Sequence, residues 1–149
     1  MHPYEFNLSF RVTHQTRDLS DLYQKLTDIP AFIPGRTWKA GDERLTQQGK
    51  KLEGHYKESY CYFSVFAAPQ KTEVEYPAAV IERIVEQLLP FKSDLQDHIK
   101  SGGELEVFVS LYVNSNSAEV FRPELMRKLA DFGIQLSIDI YPDDIPKTS

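Results

Sequence analysis

Arg36, Trp38, Lys39, Asp42 and Arg44 fall within nine residues, framed by Pro34-Gly35 and Gly41. Three cations beside one indole are the ingredients of an anion site. The cations would neutralise the ligand and the Trp face would stack on its planar part. Trp38 is the sole Trp of the chain. It has two readings: an exposed anchor for a partner or planar ligand, or a lid folded over the open end of the core. Asp42 reads as a turn-holding carboxylate that accepts hydrogen bonds from local backbone amides. As a catalytic acid it would need a partner, and the sequence offers none.

Other chemistry is absent at the level of spacing. Gly49-Lys50 echoes a phosphate-binding loop, but Gly41 and Gly49 are too far apart and Lys51 stands where Ser or Thr is required. His2, His14, His55 and His98 include no pair three or four apart, and Cys61 is the only cysteine. A zinc site of local spacing is therefore not expected, and no metal or other cofactor is predicted. No nucleophile elbow supports a serine triad, so no catalytic residue is assigned. Cys61, flanked by Tyr60, Tyr62 and Phe63, reads as a buried thiol with no cation to stabilise a thiolate.

The 149 residues fit one domain, residues 1–149, with a core over about 4–141 and a polar tail over 142–149. No apolar run is long enough to span a membrane, and the N-terminus lacks the pattern of a signal peptide. A lone cysteine fits a reducing compartment, the cytoplasm. The net charge of −5 argues against nucleic acid or an anionic membrane as partner. Charge is nevertheless uneven. Arg36, Lys39, Arg44, Lys50, Lys51 and Lys57 outnumber Asp42, Glu43 and Glu53 between Pro34 and Lys57.

The elements around this basic segment follow from periodicity. Tyr4, Phe6, Leu8, Phe10 and Val12 alternate with polar residues, a strand buried on one face. Leu19, Leu22, Tyr23, Leu26 and Ile29 recur at helical spacing, with Asp18 as cap and Pro30 and Pro34 as stops. Tyr56 to Ala67 reads as a central, aromatic-rich strand. Pro77 opens a long helix that Pro90 kinks or breaks and Ser101-Gly102-Gly103 ends. Leu105 to Val113 alternates again, and Ala118 to Phe121 is expected to return as a short paired strand. A helix from Pro123 to Gly133 precedes the last alternating strand, Ile134 to Ile140.

One-face alternation marks a sheet covered by helices on one side only. The expected fold is therefore α+β: two layers, a mostly antiparallel sheet of four or five strands, helices packed on one face. Phe108 and Tyr112 then stand on the uncovered face beside Glu106 and Ser110, with Asn7, Arg11, Asp139 and Tyr141 at equivalent parity. Aromatics among polar groups can form a recognition surface.

Several short motifs occur in a telling order: Trp38, Gly41 and Asp42 as Trp-x-x-Gly-Asp; Leu88-Leu89-Pro90; Glu124-Leu125; Leu129-Ala130; Gly133; and Ile138-Asp139-Ile140-Tyr141. In that order the chain resembles the bacterial domain of unknown function 4279 family, over about Phe6 to Tyr141. A second Trp of the family pattern is missing, and His55 to Tyr60 supplies Tyr56 and Tyr60 instead. The resemblance implies a fold and a soluble bacterial setting, and no activity.

The leading expectation is a non-enzymatic, cytoplasmic protein that binds another protein, with an immunity or antitoxin-like role as one version. The contact would use the Trp38 loop or the open sheet face. The alternative is a pocket at the basic loop where Arg36, Lys39 and Arg44 hold an anionic ligand, as a binder or an enzyme. A homodimer with paired sheets is the third reading.

Overall fold

The computed structural model describes residues 2–142. The expected fraying of the tail concerns residues that lie, beyond Pro142, outside those described.

Strand β1 (Glu5–His14) is the centre of the sheet. Its even-numbered side chains from Phe6 to Val12 are buried and its odd ones face the other way, as period two requires. Helix α1 (Ser20–Leu26) follows, with Asp18 Oδ1 accepting from the Ser20 amide at 2.9 Å. Next come β2 (Ile33–Trp38), the two-stranded hairpin β3 (Glu43–Leu45) and β4 (Lys51–His55), and β5 (Ser59–Ser64). The short β6 (Gln70–Lys71) leads to α2 (Pro77–Leu88) and α3 (Lys92–Lys100). Strand β7 (Glu104–Val113), helix α4 (Pro123–Phe132) and β8 (Ile134–Pro142) complete the order.

The main sheet runs β2-β5-β1-β7-β8, with β6 beside the start of β1. Every pairing is antiparallel except β7 with β8. A parallel neighbour needs a crossover, and α4 is that crossover. The protein is therefore α+β, with helices on one face of a mostly antiparallel sheet.

Helices cover the face that carries Phe10, Phe63, Val107 and Ile134. Phe32 stacks between Phe10 and Phe63 at 5.4 and 5.0 Å, and Tyr23 of α1 stacks on Phe63 at 5.3 Å. Ile81, Ile84 and Leu88 of α2, Leu95 of α3 and Leu125, Leu129 and Phe132 of α4 close the same core. Pro90 acts as expected: a 3-10 turn over Leu89–Phe91 separates α2 from α3. Gly133 ends α4 at φ 80°, the left-handed cap.

Three expectations are corrected. Ala118 to Phe121 pairs with no strand. Pro34 is not a helix stop: α1 already ends at Leu26, and Pro34 sits within β2, an edge strand, where proline is tolerated. The basic segment from Pro34 to Lys57, expected to hold the Trp38 loop, contains the greater part of β2 and the β3–β4 hairpin, whose mostly exposed residues give no alternation to read. Among the described residues no helix is long and apolar enough to cross a membrane.

Candidate functional site

Register determines what the uncovered face displays. Thr13 pairs with Tyr60, and Tyr60 with Trp38 on its other side. Arg11 pairs with Tyr62 and Glu106, Ser9 with Ser64 and Phe108, and Glu5 with Tyr112. Beyond β7, Ser137 faces Phe108, Asp139 faces Ser110 and Tyr141 faces Tyr112. Paired residues point the same way, so all these side chains share the face opposite the helices.

The result is a band of aromatic rings across the sheet. Trp38 stacks with Tyr56 at 4.2 Å and with Tyr60 at 4.7 Å; Tyr60 and Tyr62 are 5.9 Å apart. Tyr112 and Tyr141 stack at 5.3 Å at the far side. Between these groups the Arg11 guanidinium lies 3.8 Å over the Phe108 ring. Glu106 braces this centre: it accepts from Ser137 Oγ at 2.5 Å and stands 3.9 Å from Arg11 Nη1. Arg11 Nε is shielded from solvent with no hydrogen-bond partner among the described residues. Burial raises the Tyr60 hydroxyl above its ordinary pKa, with Arg11 pulling the other way. A concavity of about 300 Å³ opens here, lined by Asn7, Arg11, Tyr60, Tyr62, Phe108 and Tyr112 among others.

The predicted loop residues separate into two groups. Trp38 is half-buried on this face and is not part of the core, so it does not cap the core's open end. The reason is register: β2 pairs with β5, which sets Trp38 beside Tyr60 on the uncovered side. Asp42 holds the turn, accepting from the Lys39 amide at 2.9 Å, while Gly41 sits at φ 89°. Arg36 donates to the Leu45 carbonyl at 2.5 Å and to Tyr56 Oη at 3.3 Å. Arg44 donates to the Glu53 carbonyl at 3.1 Å. These two arginines tie the hairpin together, which leaves Lys39 as the loop cation among the three with an exposed, uncommitted head. The anion pocket expected from Arg36, Lys39 and Arg44 is not assembled, and none of the three lines the concavity.

Phe108 and Tyr112, by contrast, both line it. Tyr60 and Tyr62 were not assigned to a site from sequence. Their strand is apolar at both parities, so periodicity does not distinguish its outward set; the burial of Cys61 and Phe63 does.

A family model described as a domain of unknown function, DUF4279, matches residues 4–143. The chain belongs to the DUF4279 family. No curated protein and no solved structure matches it. In this DUF4279 chain no group of three or more His, Cys, Asp or Glu side chains could hold a metal among the described residues. His14 and His98 are buried and engaged with backbone groups. The Thr16 and Arg17 amides donate to His14 Nδ1, so its proton resides on Nε2, 3.0 Å from the Ser101 carbonyl. His98 Nε2 lies 2.9 Å from the Thr13 carbonyl.

Proposed function

We propose that this protein is a non-enzymatic binding module of the bacterial cytoplasm whose partner is another protein, held on the open sheet face. The observation that carries the reading is the contiguous band from Trp38 through Tyr60, Tyr62 and Phe108 to Tyr112, left uncovered by helices and centred on Arg11. Trp, Tyr and Arg dominate the energetic centres of protein interfaces because each joins a large apolar area to a polar handle. A sheet can be covered on both faces; here the second face keeps its aromatics half-buried around a concavity that suits a protruding side chain of a partner. Small size and acidity favour an immunity or antitoxin-like version, in which the protein sequesters a more basic protein.

The test is affinity capture from the native host with wild type, a Tyr62→Ala/Phe108→Ala double variant, Trp38→Ala, and Lys100→Ala as a control on α3. A specific protein retained by wild type and Lys100→Ala but lost by the double variant supports the reading. Equal retention by all variants, each shown to be folded by circular dichroism, refutes it.

A further inference from the structure

The two edges of the sheet are built differently. β2 carries Pro34, a register shift between Pro34 and Thr37, and the basic residues Arg36 within it and Lys39 just after its end. Proline, bulges and cations are the devices that keep an edge strand from pairing with another chain. β8 at the other edge has none of them from Ile134 to Tyr141, and Asp139 is its one charged residue. Nothing among the described residues pairs with its outer side. The backbone donors and acceptors of alternate residues along this nine-residue strand therefore point outward without a partner among the described residues.

The side chains of this edge match the exposed backbone. Ile138 and Ile140 pair with Val109 and Leu111 and so point to the helix side, yet remain 46% and 58% exposed. α4, which packs against β8, exposes Met126 as well. Exposed isoleucines on an unpaired edge are what a strand-pairing partner would cover.

We propose that β8 pairs antiparallel with β8 of a second copy of this chain, about a two-fold axis normal to the sheet. A two-fold of that kind makes neighbouring edge strands antiparallel and keeps both helix layers on the same side. One register fits the sequence best. With Ile138 opposite its own copy, all nine residues Ile134–Pro142 lie opposite a residue of the partner. Ile140 then faces Leu136 on the helix side, and Asp139 faces Ser137 on the open side. A register centred one residue later would set Asp139 against its own copy, a like-charge pair that opposes association. The dimer joins two open faces into one continuous aromatic surface, with the Tyr112–Tyr141 stacks nearest the seam.

The test uses the full chain in multi-angle light scattering and sedimentation over a range of concentrations. The expected result is twice the 17.2 kDa monomer mass at high concentration. Ile138→Lys/Ile140→Lys should weaken the dimer by at least about tenfold with an unchanged circular dichroism spectrum, because like charges would face across the seam. A chain that ends at Pro142 should dimerise as wild type does. Three results overturn the proposal: a monomer at every concentration, a dimer indifferent to the lysine pair, or a dimer that appears only when residues 143–149 are removed. The Tyr62→Ala/Phe108→Ala variant should remain dimeric, so failure of the open-face reading and failure of this one are separable.

Discussion

The ring of Tyr62 lies across Gly35: a Cβ on Gly35 would stand 2.5 Å from both Tyr62 Cε2 and Cζ. Gly35 is not there for a left-handed turn, since its φ is not positive. It is there because an aromatic ring of β5 crosses the bulged edge strand β2. Gly35→Ala should therefore displace the Tyr62 ring and loosen the aromatic band, at a cost of about 1–3 kcal/mol. Urea unfolding measures the cost. An unchanged midpoint, with the Tyr62 ring resonances unshifted, would contradict the contact.

Trp38 is held by two stacked rings, Tyr56 and Tyr60. Each aromatic pair contributes about 0.5–1.5 kcal/mol beyond the area it buries. Trp38→Ala should thus cost about 1–3 kcal/mol, and Trp38→Phe clearly less. Far-ultraviolet circular dichroism is the suitable probe, because the variant lacks the chain's only Trp. Any loss of partner binding by Trp38→Ala must be read beside that stability loss.

His98 sets a pH dependence. Burial lowers its pKa below the ordinary 6.5, the Glu104 and Thr13 carbonyls pull the other way, and His14 and Arg17 push it further down. The unfolded chain therefore takes up this proton at a higher pH than the native chain does. Stability from this group is complete above about pH 6.5 and declines as pH falls from there through the native pKa. The urea midpoint of wild type should fall between about pH 8 and about pH 5, more steeply than that of His98→Gln. A Cβ on Gly103 would stand 2.2 Å from His98 Nε2, so Gly103→Ala should destabilise the protein at every pH.

Cys61 is fully buried, and burial pushes its thiol up to about 12. The thiolate is the reactive species, so the native protein at about pH 8 should resist a disulfide reagent while the unfolded chain reacts at once. Rapid stoichiometric labelling of the native chain would show that β5 opens freely.

Much of this organisation is local and therefore legible in the residues. The alternation of Phe6, Leu8, Phe10 and Val12, and of Leu105, Val107 and Val109, determines two strands and their buried faces. It also determines that Phe108 and Tyr112 point away from the core, because period two leaves no other choice. The helical stripes and Pro90 determine where the helix layer begins, breaks and ends. What only the tertiary structure decided is which of these faces meet. β2, β3 and β4 lack a periodic pattern because their residues are mostly exposed, and hydrophobic periodicity records only burial. β2 is placed by pairing with β5, and β3 and β4 by pairing with each other, choices made by backbone hydrogen bonds and packing. Those choices turned the Trp38 loop and the open sheet face, separate along the chain, into one surface. They also spent Arg36 and Arg44 on backbone carbonyls, a commitment that residue type and spacing alone do not encode.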